Sequence, residues 1–479
     1  MPLKLALPGG QLARRVDALL ARAGLAISGY SDGSRSYRPR LPERDGVLLR
    51  VFREKDIPIQ IALGNYHLGI CGLASVQEQL VRYPSEALVM LRPLPLPPVG
   101  LYVGAPQSEG PTTLADLAGR RGLRLVSEFP DLAEAFALAA RLPAYRIFPV
   151  WGAAEVYPPE DADLAVVAAA SEQEVIGHGL APLHRLLAGP PWLIAHRGSL
   201  QEKDLSPLLG PLMALDGAGA PAGRADTLLE LPAVPMAAGS APAPRIASER
   251  VRVALPDGHQ QPSAATILRN AGLSFAGYDE EGWVRRPTSS IAGLEVKVIR
   301  PHDMPQQVAL GNFDLAISGR DCLLEHHCRF PASPVAEAVD LGGGQFDLSA
   351  VVSQDLPAES LAQAMAIWRA QGVGSIRVAS EFPAIADDYA RTHRFWRYQV
   401  IPIGGASEGF VPEDAELLIE GIQTGRTLAE NNLKAIDRFL RSTTCLLVGR
   451  REVSGRKGKL LAQLIERFRE AANQRAAGG

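Results

Sequence analysis

The segment with the clearest chemical potential is a short polar turn that follows an apolar strand late in the chain. The predicted strand covers residues 417–419, meets the acidic Glu420 and leads through the turn into a helix. The turn consists of Gln423, Thr424, Gly425, Arg426 and Thr427. Gly425 permits a tight turn, the threonine hydroxyls can donate hydrogen bonds, and the helix directs its first amides into the turn. This combination predicts a site for a phosphate monoester, with Glu420 placed to accept hydrogen bonds from ribose hydroxyls.

Strand, acidic residue, turn and helix in this order are the general pattern of a phosphoribosyl-diphosphate site. Taken alone, the segment leaves an ordinary helix capped by threonine open as the alternative. An internal comparison is available because the chain repeats itself. The Asp56-Ile-Pro motif recurs as Asp303-Met-Pro, and Ser127-Glu-Phe-Pro recurs as Ser380-Glu-Phe-Pro. Such matches keep their order over roughly 200 residues, which indicates a tandem duplication.

In the first copy, the corresponding turn lacks the residues that favour phosphate binding. Val167 stands at the position of Glu420, and Glu172, Gln173 and Glu174 replace the last three residues of the turn. Two carboxylates repel a phosphate dianion, and a tight turn is unfavourable without glycine. We therefore expect phosphate binding in the second copy and not in the first.

The two copies define the predicted domain organisation. Residues 216–245 contain 18 Gly, Ala or Pro out of 30, which favours a flexible linker, and a poorly packed helix around residues 228–231 is the alternative. The prediction is a degenerate repeat one over residues 1–212, a linker over residues 213–248, and a complete repeat two over residues 249–479.

The elements that must position these residues alternate between strands and helices. In repeat two, residues 251–255, 294–299 and 314–318 show strand patterns, and residues 263–271 and 304–310 show helical patterns. The alternation favours α/β units with largely parallel sheets, in which ligands lie at the carboxyl ends of strands near helix N-termini. A second α/β set begins later in each repeat, so each repeat is predicted to have two lobes with a cleft between them.

The composition is that of a globular protein, with 47% hydrophobic and 21% charged residues. A net charge of -3 provides no global basic field for nucleic acid, and four scattered cysteines do not form a disulfide scaffold. No apolar run reaches the ~18 residues of a membrane span, and the N-terminus lacks the apolar centre of a signal peptide. We expect a cytoplasmic protein without a membrane or nucleic-acid partner.

With both repeats in view, the chain resembles the catalytic part of ATP phosphoribosyltransferase, the first enzyme of histidine biosynthesis. Repeat two carries the resemblance in five motifs that keep the family's order. They are Ala254-Leu-Pro-Asp-Gly258, Ile299-Arg-Pro-His-Asp-Met-Pro305, Gly311-Asn-Phe-Asp-Leu-Ala-Ile-Ser-Gly-Arg-Asp-Cys-Leu323, Gly405-Ala-Ser-Glu408 and Thr424-Gly-Arg-Thr-Leu428. Repeat one resembles the same family in eroded form, for example through Arg53-Glu-Lys-Asp-Ile-Pro58.

The resemblance implies a fold and an activity. The implied fold is α/β, with two tandem copies of a two-lobed, type-II periplasmic-binding-protein-like unit whose mixed or parallel sheets flank a cleft. The implied activity is that of a pentosyltransferase, which transfers the 5-phosphoribosyl group from phosphoribosyl diphosphate to N1 of ATP and releases diphosphate. Mg²⁺ is the implied cofactor, because the leaving diphosphate must be neutralised by arginines and a cation. A homo-oligomer or a regulatory subunit is the implied partner.

The resemblance also implies roles for particular residues. The turn at residues 423–427 matches the 5-phosphate loop, and Glu420 takes the place of the acidic residue before it. Arg300 matches the arginine that precedes the Asp-x-Pro motif and is the candidate for stabilising diphosphate. The residues implied for the nucleotide pocket are Asp314, Gly319 and, by a looser alignment, Arg285 and Arg286.

One residue departs from the family's pattern. Asp257 stands where the family commonly has a lysine beside the glycine of the first-strand loop. A carboxylate near polyanionic substrates is unfavourable unless it faces Mg²⁺ or solvent. After repeat two's last strand, residues 457–472 form one amphipathic helix pattern, so feedback through a regulatory domain is not expected.

The family's catalytic units pair as dimers, and repeat one is expected to act as the partner of repeat two within one chain. It could lend Arg35, Arg38 or Arg53 to the repeat-two cleft or its interface. The alternative is that these arginines are simply solvated.

One segment is rich in histidine and cysteine, and two other classes of function stay open for the whole chain. Cys322, His326, His327 and Cys328 are better explained as one helix face than as a zinc site, because their spacing is too tight. A non-catalytic ligand-binding or regulatory homologue stays open, favoured by Asp257 and the degenerate repeat. A phosphoribosyltransferase with another acceptor is the remaining alternative.

Overall fold

The computed structural model describes residues 2–30, 37–42, 44, 46–108, 111–117, 120–142, 144–215, 249–450 and 453–478. Most of the predicted linker, the alternative helix around residues 228–231, and Arg35 lie outside the described residues.

Repeat one alternates strands and helices along its described length. Its strands are β1 (Leu3–Pro8), β2 (Val47–Phe52), β3 (Leu68–Cys71), β4 (Leu88–Pro93), β5 (Val99–Pro106), β6 (Arg121–Ser127), β7 (Ala144–Pro149), β8 (Leu164–Ala169), β9 (Leu180–Gly189) and β10 (Trp192–His196). Its helices are α1 (Gln11–Arg22), α2 (Ile57–Ala62), α3 (Leu73–Arg82), α4 (Pro130–Ala139), α5 (Glu172–Gly177), α6 (Arg197–Glu202) and α7 (Ser206–Met213).

Repeat two has a similar order of elements. Its strands are β11 (Val251–Pro256), β12 (Phe275–Tyr278), β13 (Trp283–Ser289), β14 (Leu294–Ile299), β15 (Leu315–Gly319), β16 (Val335–Asp340), β17 (Phe346–Ser353), β18 (Ile376–Ser380), β19 (Tyr398–Pro402), β20 (Leu417–Ile422), β21 (Leu433–Ser442) and β22 (Thr444–Gly449). Its helices are α8 (Gln261–Asn270), α9 (Met304–Leu310), α10 (Arg320–Arg329), α11 (Leu361–Ala370), α12 (Pro383–Thr392), α13 (Arg426–Glu430) and α14 (Gly455–Gly478). It differs in the described hairpin β12–β13, in the helix between β17 and β18, and in its single C-terminal helix.

Each repeat folds into two lobes, and each lobe is built on a five-stranded sheet. In repeat one the orders are β2-β1-β3-β10-β4 for the first lobe and β7-β6-β8-β5-β9 for the second. In repeat two they are β14-β11-β15-β22-β16 and β19-β18-β20-β17-β21. Each sheet contains two parallel and two antiparallel neighbouring pairs, so the predicted mixed α/β, periplasmic-binding-protein-like fold is confirmed.

Local sequence explains where the predicted elements begin and end. The strand at residues 294–299 and the helix at residues 304–310 have the predicted bounds, and that helix ends at Gly311, which adopts a left-handed φ of 79°. The C-terminal amphipathic pattern forms α14, whose Leu461, Leu464 and Phe468 are buried in the core of repeat two's first lobe.

The two repeats pack head to tail, since the first lobe of each lies against the second lobe of the other. In one half, the rings of Phe52 and Phe410 are 5.0 Å apart, and the hydroxyl of Tyr66 donates to Asp414 at 2.8 Å. In the other half, Arg252 donates two hydrogen bonds to Asp161, at 2.7 and 2.8 Å. Each of the two interfaces therefore combines buried aromatic or charged pairs that join residues far apart in sequence.

Among the residues described, none of the helices has both the length and the apolar character needed to cross a membrane.

Candidate active site

The two lobes of repeat two enclose a cleft of about 270 Å³. Its walls come from the ends of β15 and β20 and from the loops after β14 and β18. The lining residues are His259, Gln260, Ser263, His302, Gly319, Asp321, Gly344, Phe346, Glu381, Phe382, Glu420, Gly421, Gln423, Thr443 and Thr444. Of the predicted site residues, Glu420, Gln423 and Gly319 line this cleft, whereas residues 424–427 of the turn do not.

The predicted phosphate turn follows β20 and leads into α13. Gly425 has a φ of 73° and a ψ of 0°, a left-handed conformation that strains other residues, while a Cβ there would meet no atom within 4 Å. Glycine is therefore favoured at this position by the left-handed backbone conformation and not by a lack of space for a side chain. Thr427 is partly buried, whereas Arg426 is exposed and its Nε donates to Glu430 at 2.8 Å. The Arg426 side chain thus lies outside the turn.

The corresponding turn in repeat one is closed by its own side chains. The Ser171 hydroxyl accepts the amide of Glu174 at 3.3 Å, and the Glu174 carboxylate accepts the amide of Ala170 at 2.7 Å. This reciprocal cap uses backbone donors at the start of α5 that a phosphate would need. The contrast agrees with the expectation that repeat one does not bind phosphate at this turn.

A cluster of three carboxylates surrounds the base of the repeat-two turn. Glu420 accepts hydrogen bonds from the Ser407 hydroxyl and from the amide of Gly421. Burial, together with the neighbouring charges of Glu381 and Glu408, raises the pKa of Glu420 to about 8. Near neutral pH, Glu420 can therefore carry a proton and both donate and accept hydrogen bonds.

Arg53 of repeat one lies near this carboxylate cluster. The Arg53 side chain lies directly against Gly405 and leaves no room for a Cβ atom there. Burial and the charges of Glu408, Glu420 and Glu381 raise the pKa of Tyr37, another repeat-one residue, to about 12. Of the two candidate arginines that the structure describes, Arg53 is therefore the one that lies beside these carboxylates.

Arg38 lies at the interface between the two repeats. Its guanidinium forms a 3.5 Å ion pair with Glu413, which also pairs with Arg50. Arg38 is thus neither solvated nor directed into the cleft.

Arg300, the candidate for stabilising diphosphate, is not among the residues that line the repeat-two cleft. Its side chain lies against Gly152 of repeat one, in the arrangement that relates Arg53 to Gly405. Asp257 is 2% exposed and pairs with both Arg300, at 3.2 Å, and Arg285, at 2.9 Å. The unusual aspartate is therefore balanced by two arginines rather than turned towards solvent.

The arginine pair of the looser alignment also lies at the contact with repeat one. Arg285 reaches Glu155 at 3.3 Å, and Arg286 donates to Glu160 at 2.9 Å. Burial by itself would raise the pKa of Glu160. Hydrogen bonds from Arg286 and the charge of the Lys297 ammonium outweigh burial and lower this pKa to about 2. The structure thus places these arginines in a contact network and not among the cleft-lining residues.

Asp314 and Gly319, both predicted for a nucleotide pocket, lie at opposite ends of β15. Gly319 is at the carboxyl end, which borders the cleft. Asp314 precedes the strand, where it accepts the amide of Arg252 at 2.8 Å and pairs with Lys457 at 2.9 Å. The predicted pocket therefore does not include Asp314, because a strand separates it from the cleft.

The residues described contain no group of three or more His, Cys, Asp or Glu arranged to hold a metal ion. The segment with two cysteines and two histidines forms the helix α10, as predicted. His326 contacts the Ser333 hydroxyl at 2.7 Å and His327 the Val335 carbonyl at 3.1 Å, which gives both rings structural partners.

Sequence reasoning missed the contribution of Glu381 and Glu408 to the cluster. Both stand in repeated or family-like motifs, Ser380-Glu-Phe-Pro and Gly405-Ala-Ser-Glu408, so the signal was present. It did not reveal that these motifs converge on Glu420.

The fold and the site define a tandem of two-lobed α/β repeats, the second of which has a cleft lined by Glu420 and by Gln423 of the predicted phosphate turn. The family model described as ATP phosphoribosyltransferase matches this chain twice, over residues 53–214 and 300–470. The chain belongs to the ATP phosphoribosyltransferase family.

Individual relatives agree with this assignment. The enzyme named ATP phosphoribosyltransferase from Moorella thermoacetica is 32% identical over 227 residues, which is 46% of this chain and 93% of that protein. The one from Picosynechococcus is 30% identical over 197 residues, which is 41% of this chain and 87% of that protein. A solved chain of the ATP phosphoribosyl transferase complex from Thermotoga maritima matches 47% of this chain and 99% of its own length, with 20% identity and a TM-score of 0.37. Since that TM-score is below 0.5, the assignment rests on the family match and the relatives.

Proposed function

We propose that the chain is an ATP phosphoribosyltransferase with a single working site in repeat two, completed by Arg53 of repeat one. The reaction transfers the 5-phosphoribosyl group of phosphoribosyl diphosphate to N1 of ATP and releases diphosphate. The observation that carries the proposal is the contrast between the two turns. The turn at Gly425 leaves its backbone donors open beside Glu420, whereas the turn at Glu174 is closed by its own cap.

The turn and the acidic residue before it are proposed to bind the phosphoribosyl half of the donor. Thr424 and Thr427 donate hydrogen bonds to the 5-phosphate, together with the amides that follow Gly425. Glu420 accepts hydrogen bonds from the ribose hydroxyls. Because its pKa is raised to about 8, the Glu420 carboxyl group can be either protonated or ionised near neutral pH.

The chemical step needs charge compensation at two places. The bond between ribose C1 and the diphosphate oxygen breaks with its electron pair on diphosphate, and the N1 lone pair of ATP forms the new bond to C1. The positive charge on the alkylated adenine is removed when its amino group loses a proton. Arg53, whose side chain lies against Gly405 in the second lobe of repeat two, is proposed to stabilise the charge that develops on diphosphate.

The carboxylates fit a role in holding Mg²⁺. Glu381 and Glu408 offer the oxygen ligands that Mg²⁺ prefers, and this ion is commonly held by one or two carboxylates plus substrate phosphates. Bound Mg²⁺ would supply further neutralisation of diphosphate.

The proposal is tested by incubating the purified chain with Mg²⁺, phosphoribosyl diphosphate and ATP, measuring diphosphate release and identifying the nucleotide by mass spectrometry. Phosphoribosyl-ATP is the expected product. Diphosphate release with other nucleotides or bases but not with ATP would favour a phosphoribosyltransferase with another acceptor. Binding of the donor without release would favour a non-catalytic homologue.

A further inference from the structure

The lobes of repeat one enclose a cleft of their own, of about 460 Å³. This volume exceeds that of the repeat-two cleft and lies within the usual range for small-molecule sites. The lining residues used below come from α1, from the 53–55 turn, from α3 and from the second lobe. Repeat one has therefore kept a ligand-sized cleft although its phosphate turn is closed.

Three cationic side chains line this cleft. Arg15, Arg53 and Lys55 are exposed to it, and none of them forms an ion pair with a described residue. Two carboxylates also line it, but Glu54 is engaged by the amide of Gly72 at 2.9 Å. Glu128 is then the one cleft-lining carboxylate without a hydrogen bond to a described residue.

The repeat-two cleft has the opposite polarity. Its described lining contains Asp321, Glu381 and Glu420 but no lysine or arginine. In repeat one, Val167 and Ala168 occupy the strand positions of Glu420 and Gly421, so the ribose-binding carboxylate is gone. A cleft with surplus positive charge and no such carboxylate suits an anion of different chemistry from phosphoribosyl diphosphate.

The remaining wall is largely apolar. The ammonium of Lys55 lies 4.7 Å from the centre of the Trp151 ring, and Phe129, Leu12 and Val99 complete the surface. Aromatic and aliphatic walls with a few convergent polar groups are typical of sites for small organic ligands.

We propose that the repeat-one cleft binds a small organic anion with an apolar body, whose carboxylate or phosphate group is held by Arg15 and Lys55. The site lies in the other repeat from the proposed catalytic site, so it does not depend on transferase activity.

Calorimetric titration of the full chain with benzoate and with phenyl phosphate tests this inference. We expect at least one of these anions to bind and to change the fluorescence of Trp151, with no such change in Trp151→Phe. Tighter binding of benzoate would assign the carboxylate as the acid group, and tighter binding of phenyl phosphate would assign the phosphate. Benzyl alcohol, a neutral analogue, should bind at least about tenfold more weakly, since the bonds to charged groups are lost.

Arg15→Ala should weaken binding of the anion by about tenfold, because one charge-assisted contact is removed. Arg22→Ala is the matched control, on the same helix and exposed but not part of the cleft lining. Failure of both anions to bind, equal binding of benzyl alcohol, or an unchanged affinity in Arg15→Ala would each overturn the proposal. Because titration measures binding and not transfer, failure of the proposed catalytic function would leave these results intact.

Discussion

The ring of Trp151 in repeat one stacks on the ring of His302 in repeat two, with centroids 4.6 Å apart and planes 22° from parallel. Trp151 lines the repeat-one cleft and His302 lines the repeat-two cleft. Phe382 of repeat two continues the stack on the other side of His302, at 5.6 Å. These three aromatic rings therefore connect the walls of the two clefts. Because they are in contact, a displacement of one ring requires its neighbours to shift.

The two equivalent arginines should differ in their effect on catalysis. Arg53→Ala is expected to lower kcat for phosphoribosyl transfer by about 100-fold, because a preorganised cation beside the leaving group is removed. Arg300→Ala should have a much smaller effect, since its guanidinium is held by Asp257 and lies against Gly152. Steady-state kinetics of both variants make the comparison, and a larger loss in Arg300→Ala would contradict the assignment.

The two turns offer a matched pair of substitutions for donor binding. Thr427→Ala should weaken binding of phosphoribosyl diphosphate by about tenfold, because a hydrogen bond to a charged phosphate is lost. Glu174→Ala, at the equivalent position of repeat one, should leave that affinity unchanged. Calorimetric titration measures both, and equal losses would mean that the donor also uses the repeat-one turn.

Stability should fall as pH rises through neutrality. Burial raises the pKa of Asp303 to about 8, and burial with two neighbouring carboxylates raises that of Glu420 to about 8. Unfolded Asp and Glu titrate near 3.9 and 4.3, so between about pH 4 and pH 8 the folded protein binds more protons than the unfolded chain. The free energy of unfolding therefore decreases over this window as pH rises.

Glu420→Gln checks that pH dependence, because the amide keeps the shape and cannot ionise. Urea unfolding at pH 5, 6, 7 and 8 should show a smaller decrease in the variant than in the parent. Parallel curves for the two proteins would show that Glu420 does not titrate with a raised pKa.

The buried charge network between the repeats should contribute strongly to stability. Arg252→Ala leaves Asp161, which is fully buried, with Lys297 as its remaining cation, and we expect a loss of about 3 to 5 kcal/mol in the free energy of unfolding. Arg269→Ala is the control, since its pair with Glu280 is exposed to solvent and should contribute little to stability. Chemical unfolding measures both, and a similar small loss in the two variants would contradict the expected role of the network.

The sequence by itself determined the duplication, several strands and helices of repeat two, the two-lobed fold and the difference in sequence between the two turns. These features depend on contiguous residues, such as the glycine at 425 or the carboxylate at 174, whose conformational and hydrogen-bonding preferences are local. The family resemblance could be recognised for the same reason, since its motifs are short and keep their order.

Only the tertiary structure decided which residues meet across the repeats. Arg53 and Arg300 stand in equivalent local sequences, and each lies against a glycine of the other repeat because the first lobe of one packs on the second lobe of the other. The same packing places Asp257 between two arginines and brings Glu381 and Glu408 to Glu420. Contacts between residues hundreds of positions apart follow from how whole surfaces fit together, and no local pattern specifies that fit.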